Sequence, residues 1–121
     1  MFPYEQLIVY KMAFELNQKL YRLLKTNHFI PTYAKNQLGR ACLSIMLNIA
    51  EGSAKHGLRD RRNYFIIARG SSFETASIIH FLYEENAIAE SFRTEVYDSL
   101  EQISKILYKM INNLESKHNN M

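Results

Sequence analysis

A chain of 121 residues that is 47% hydrophobic and 22% charged has material for one core and too little polarity for disorder. No window reaches the roughly 18 unbroken apolar residues that a membrane span needs, and the single cysteine, Cys42, excludes an internal disulfide. The first residues carry no basic segment followed by an apolar one, so the reading is a cytoplasmic protein with no membrane role, and its net charge of +3 permits a polyanionic partner without demanding one.

With only four glycines and two prolines, and no alternating β-branched runs, the elements are predicted to be helices. The first runs from about Tyr4 to Thr26, with Pro3 at its start and Val9, Ala13, Leu16, Leu20 and Leu23 on one face. A polar break at Asn27, His28, Pro31 and Thr32 precedes the second, whose period is Leu38, Cys42, Ile45, Ile49 and whose end falls between Gly52 and Lys55. After a loop over Lys55 to Arg59, Asp60 is predicted to cap a third helix reaching about Glu85, with core face Tyr64, Ala68, Ser71, Thr75, Ile78 and Leu82. Asn86 to Glu90 breaks the pattern. Ser91 is predicted to cap a fourth helix with core positions Val96, Leu100, Ile103, Leu107, Met110 and Leu114, and Ser116 to Met121 to fray. These helices make one domain, residues 1–121: an all-α, antiparallel up-down-up-down four-helix bundle.

Projected at about 100° per residue, the second helix is apolar over an arc of about 240°, more than a bundle core covers. Deep burial is one explanation; the other, which the reading adopts, is that Leu43, Leu47 and Ala50 cover a subunit interface. Charge is sorted as well. From Tyr33 to Phe73 seven Lys and Arg face Glu51 and Asp60, whereas from Glu74 to Glu101 seven acids face Arg93 alone. Lys55, Arg59, Arg61 and Arg62, followed by Tyr64 and Phe65, form a candidate phosphate-binding cluster at a helix start, with Arg69 further along. The alternative is that these cations meet an acidic protein surface.

Catalytic patterns are sparse. His28, His56, His80 and His118 form no HExxH pair, and of the two Glu-x-x-His units a di-iron bundle needs only Glu115 to His118 fits, so no metal and no cofactor are expected. Cys42 lies on an apolar face, where it acts as a small hydrophobe. Neither Gly52 nor Gly57 begins a phosphate-cradling loop. Arg22 and His28 have a spacing that resembles the HEPN ribonuclease motif, a remote enzymatic alternative to a chain otherwise read as no enzyme, with no catalytic residue.

The run Gln37 to Gly52, with Arg40, Ser44, Asn48 and Glu51, resembles the signature of the four-helix-bundle proteins encoded in 23S rRNA intervening sequences. The run Tyr64 to Glu74, with Ala68, Gly70 and Ser71, and the aromatic-proline element at Phe29 to Pro31 are similar to that family too. The family includes the accessory variability proteins of diversity-generating retroelements, basic homopentameric rings that bind a reverse transcriptase and nucleic acid. The resemblance therefore implies a homo-oligomer, a pentamer, whose partners are RNA or DNA or a protein such as a reverse transcriptase, without established catalysis. Within that signature, Glu51 is expected to bridge to Arg40 or Arg69, with Asn48 beside it, and Gly52 and Gly70 are assigned structural roles, Gly70 for close packing against another helix.

Overall fold

The computed structural model describes residues 2–120. Pro3–Gln6 form a 3-10 turn, followed by α1 (Ile8–Thr26), α2 (Thr32–Ala54), α3 (Leu58–Glu84) and α4 (Glu90–Asn119). Among the described residues α1 packs on α2 and α4, and α3 on α2 and α4, which is the neighbour order of an up-down-up-down bundle. Side chains fix the antiparallel registers. Asn17 Nδ2 donates to the Cys42 carbonyl at 2.9 Å, joining α1 to α2, and the Ser44 and Ser71 hydroxyls share a 2.7 Å hydrogen bond between α2 and α3. Lys19 pairs with Glu95 across α1 and α4.

The core follows the helical period: Val9, Ala13, Leu16 and Leu20 from α1, Leu38, Cys42, Ile45 and Ile49 from α2, and Val96, Leu100, Ile103 and Leu107 from α4 are all buried. Several local expectations are corrected. The first helix does not run unbroken from Tyr4, because Leu7 is extended (φ −71°, ψ 128°) and separates the proline-initiated turn from α1. Asp60 is not the cap of α3. Gly57 holds that position and Asp60 stands in the first turn, where its charge still favours the positive end of the helix. Ala89 rather than Ser91 precedes α4. That helix buries Ile111 where Met110 was expected, and stays helical through Asn119; Met121 lies outside the described residues.

On α3 the buried face is Phe65, Ala68, Ser72, Thr75, Ile79 and Leu82, one residue round from the predicted Tyr64, Ser71 and Ile78 while sharing Ala68, Thr75 and Leu82. The frame is set by α2. A Cβ on the buried Gly52 would lie 2.7 Å from Phe65 Cε1 and 3.0 Å from Tyr64 Cβ, so the missing side chain is what admits the Phe65 ring. Gly70, assigned the same role, is exposed, and a Cβ there meets nothing within 4 Å.

The loops at the α1/α2 and α3/α4 end add core residues. Asn27 Oδ1 accepts the Phe29 and Ile30 amides at 2.7 and 3.1 Å while its Nδ2 donates to the Ala87 carbonyl at 2.8 Å. One side chain thus clamps both loops and buries Ile30, Ala87 and Ile88. Helix α3 ends in a Schellman motif: Asn86 takes a left-handed φ of 62°, its N–H reaches the Tyr83 carbonyl at 3.0 Å, and the Ala87 N–H reaches Leu82 at 2.8 Å. Asparagine is the non-glycine residue best suited to that conformation.

Candidate nucleic-acid interface

The opposite end of the bundle gathers the end of α2, the start of α3 and the end of α4. Its close α2/α3 contact at Gly52 and the short turn through Lys55, His56 and Gly57 hold Lys55, Arg59, Arg61 and Arg62 together. Lys55 Nζ lies 3.6 Å from Glu51 and 5.2 Å above the Tyr64 ring, a cation held over an aromatic face on an otherwise solvated end. Arg62 Nε is 3.8 Å from Glu115, too long for a tight bidentate pair. Arg59, Arg62, Glu115, His118 and Asn119 line an open recess of about 300 Å³. The Nε atoms of Arg61 and Arg62 are shielded from solvent without a hydrogen-bond partner, as are those of Arg69 and Arg93 away from this end. The first-turn amides of α3, for which no side chain provides a cap, add positive potential at the same place.

Four cations against Glu51, Asp60 and Glu115 leave this end net positive, which suits an anion with several oxygens. The Glu115 to His118 pair, noted in the sequence as half of a di-iron pattern, lies in this recess beside two arginines, and among the described residues no group of three potential ligands forms a metal site.

Arg69 is separated from the cluster. Seven residues beyond Arg62, it lies about 10 Å further along α3, with its guanidinium carbon 4.9 Å from the Phe73 ring centre and 5.0 Å from that of Tyr108. A second stacked arginine was missed in the sequence: Arg93 sits 5.0 Å from Tyr83 and 5.3 Å from Tyr97. The i, i+4 spacings Arg69/Phe73 and Arg93/Tyr97 were its visible signal. Both arginines border the α3/α4 side of the bundle, where Arg69, Phe73, His80, Tyr97, Glu101 and Lys105 line part of a half-open recess of about 520 Å³.

The remaining signature residues fall on α2. Glu51 pairs with Lys55 and not with Arg40 or Arg69, because one helical turn brings Lys55 to it while Arg69 is taken up by two rings. The α2/α3 lock is instead neutral: Asn48 Nδ2 donates to the Ser44 carbonyl at 2.8 Å and to the Ser44 hydroxyl at 3.0 Å, and that hydroxyl meets Ser71. Arg40 is exposed, Leu43 and Leu47 are exposed by 46% and 53%, and Ala50 is half-buried. Leu43 rims a second groove of about 650 Å³, between α1 and α2, with Phe14 and Tyr21. Arg22 of the remote ribonuclease pair borders that groove, and His28 is not among its lining residues. Burial pushes the Cys42 thiol up from 9.0 to about 12, which keeps it protonated and unreactive.

A family model described as 23S rRNA-intervening sequence protein matches residues 5–109. The fold is similar to the crystal structure of a protein of unknown function from the S23 ribosomal protein family of Bacteroides thetaiotaomicron VPI-5482, with a TM-score of 0.82 at 23% identity over 86% of this chain and 98% of that one. No curated protein gives a significant match.

Proposed function

The chain belongs to the 23S rRNA-intervening sequence protein family, and from that premise we propose that it is a non-enzymatic, self-associating cytoplasmic module that binds RNA or DNA through the basic end of its bundle. The observation that carries this reading is the cluster Lys55, Arg59, Arg61 and Arg62 at one end of the bundle, with Arg59 and Arg62 lining an open recess. Phosphate oxygens pair with the outward-facing ends of such cations, and the Tyr64 ring beside Lys55 offers a surface next to the backbone track. Contacts of this kind position a nucleic acid without reading its sequence. Self-association, a pentamer by resemblance, multiplies the cluster around a ring and raises affinity through multivalency.

The test is affinity against salt for a labelled duplex. A site holding three phosphates loses roughly 40-fold in affinity between 50 and 200 mM salt, and that slope should flatten in the Arg59→Ala, Arg61→Ala, Arg62→Ala triple variant. Salt-insensitive binding, or a triple variant with unchanged affinity, contradicts the reading.

A second reading is an accessory protein-binding scaffold, for example for a nucleic-acid enzyme such as a reverse transcriptase. The partial neutralisation of Lys55 by Glu51 and of Arg62 by Glu115 favours it, since mixed charge suits a protein surface. It predicts no co-purifying nucleic acid.

A further inference from the structure

Resting on the nucleic-acid reading, we propose that the recess between the start of α3 and the end of α4 receives the terminal phosphate of a strand, so that the basic end of the bundle binds strand ends in preference to continuous backbone. The recess, of about 300 Å³, is lined by Arg59 and Arg62 from α3 and by Glu115, His118 and Asn119 from α4. Glu115 and His118 are one helical turn apart, which puts both on the side of α4 that faces the two arginines.

This lining is not what a continuous backbone asks for. A phosphodiester carries one negative charge and no proton, so cations and neutral donors serve it completely. Here a carboxylate stands among the cations, with Glu115 3.8 Å from Arg62 Nε. The Asn119 amide, and the His118 imidazole when neutral, each bring an acceptor as well as a donor. The carbonyl end of α4 adds partial negative charge on the same side. Toward a diester these groups are idle or repulsive.

A terminal phosphate has the proton that the diester lacks. Its second ionisation falls at a pH of roughly 6, and a neighbouring carboxylate favours the protonated form. Glu115 then accepts the P–OH while the remaining oxygens take donors from Arg59, Arg62 and His118. Charge closes in the same way: Arg59 and Arg62 against Glu115 leave one positive charge for a singly protonated monoester. Of the neighbours that do not line the recess, Arg61 and Lys117 are positive and Asp60 is negative. A strand end enters such a recess, and Lys55 and Arg61 outside it remain for the phosphates that follow.

The experiment compares internally labelled single strands of one sequence, made as RNA and as DNA, that end in a 5′-phosphate, in a 3′-phosphate or in hydroxyls at both ends. Affinities are measured for wild type, Glu115→Ala and His118→Ala; both residues are exposed near the end of α4, so the fold is retained. A phosphate-ended strand should bind wild type about tenfold more tightly than the hydroxyl-ended one, and the better of the two phosphate-ended strands names the end. Each substitution should bring that ratio close to one, and Glu115→Ala should do so while tightening the hydroxyl-ended strand, because a repulsive charge is gone. Equal affinity for all strands, or a preference that survives both substitutions, overturns the end-binding inference while leaving backbone binding standing. Absence of binding to any strand removes the nucleic-acid reading as well.

Discussion

The two glycines that the sequence treated alike do opposite things. Gly52 admits the Phe65 ring, 98% removed from solvent, against the α2 backbone, whereas Gly70 faces open space. Gly52→Ala should therefore destabilise by about 1–2 kcal/mol even after its gain in helix propensity. Gly70→Ala should stabilise the subunit by about 0.5–1 kcal/mol. Urea denaturation of the two variants reads both signs. Cys42 makes a pH prediction. Below pH 9 its thiol is protonated in the folded and the unfolded chain, and between 9.0 and about 12 only the unfolded chain loses the proton. Stability should then fall with rising pH, by at most about 1.4 kcal/mol per unit, relative to Cys42→Ala. Tyr10, whose phenol burial also raises, is present in both proteins and cancels from the comparison.

At the scale of elements, the loop clamp and the helix frames matter most. Asn27→Ala removes the donor to the buried Ala87 residue's carbonyl and the acceptor for two amides, and should lower stability by about 1–3 kcal/mol with faster amide exchange in both loops at that end. The four helices and most of their core were legible because apolar residues recur at 3 and 4 along α1, α2 and α4. The frame of α3 was not. Tyr64, Ser71 and Ile78 adjoin Phe65, Ser72 and Ile79, the two faces share three residues, and the choice between them is made by the gap at Gly52, a tertiary contact. Ile30, Ala87 and Ile88 were invisible for a different reason: periodicity carries no signal in a loop, and a side chain 60 residues from Ala87 holds the pair of loops shut. Of the candidate site, Lys55 to Arg62 was legible because a short turn keeps sequence neighbours together, while Arg69 was carried off by the helical rise and captured by Phe73 and Tyr108.

Charge differs between the two ends of the molecule. Lys55, Arg59, Arg61, Arg62 and the basic last turn of α4, Lys117 and His118, gather at one end, whereas at the other Glu84, Glu85 and Glu90 are mixed with Arg22, Lys25 and Lys35. Side-by-side association would align these ends, stacking the basic clusters into one rim and presenting a larger positive field than a single subunit with a net charge of +3. Such a rim would bind nucleic acid with a salt dependence that a lone subunit cannot match, which ties the proposed function to the proposed assembly. The most direct test is the mass of the purified protein by light scattering, with absorbance at 260 and 280 nm recorded in low and high salt. A mass five times the 14.2 kDa subunit, with excess 260 nm absorbance that high salt removes, is the expected result. A single-subunit mass free of nucleic acid in both conditions would contradict it.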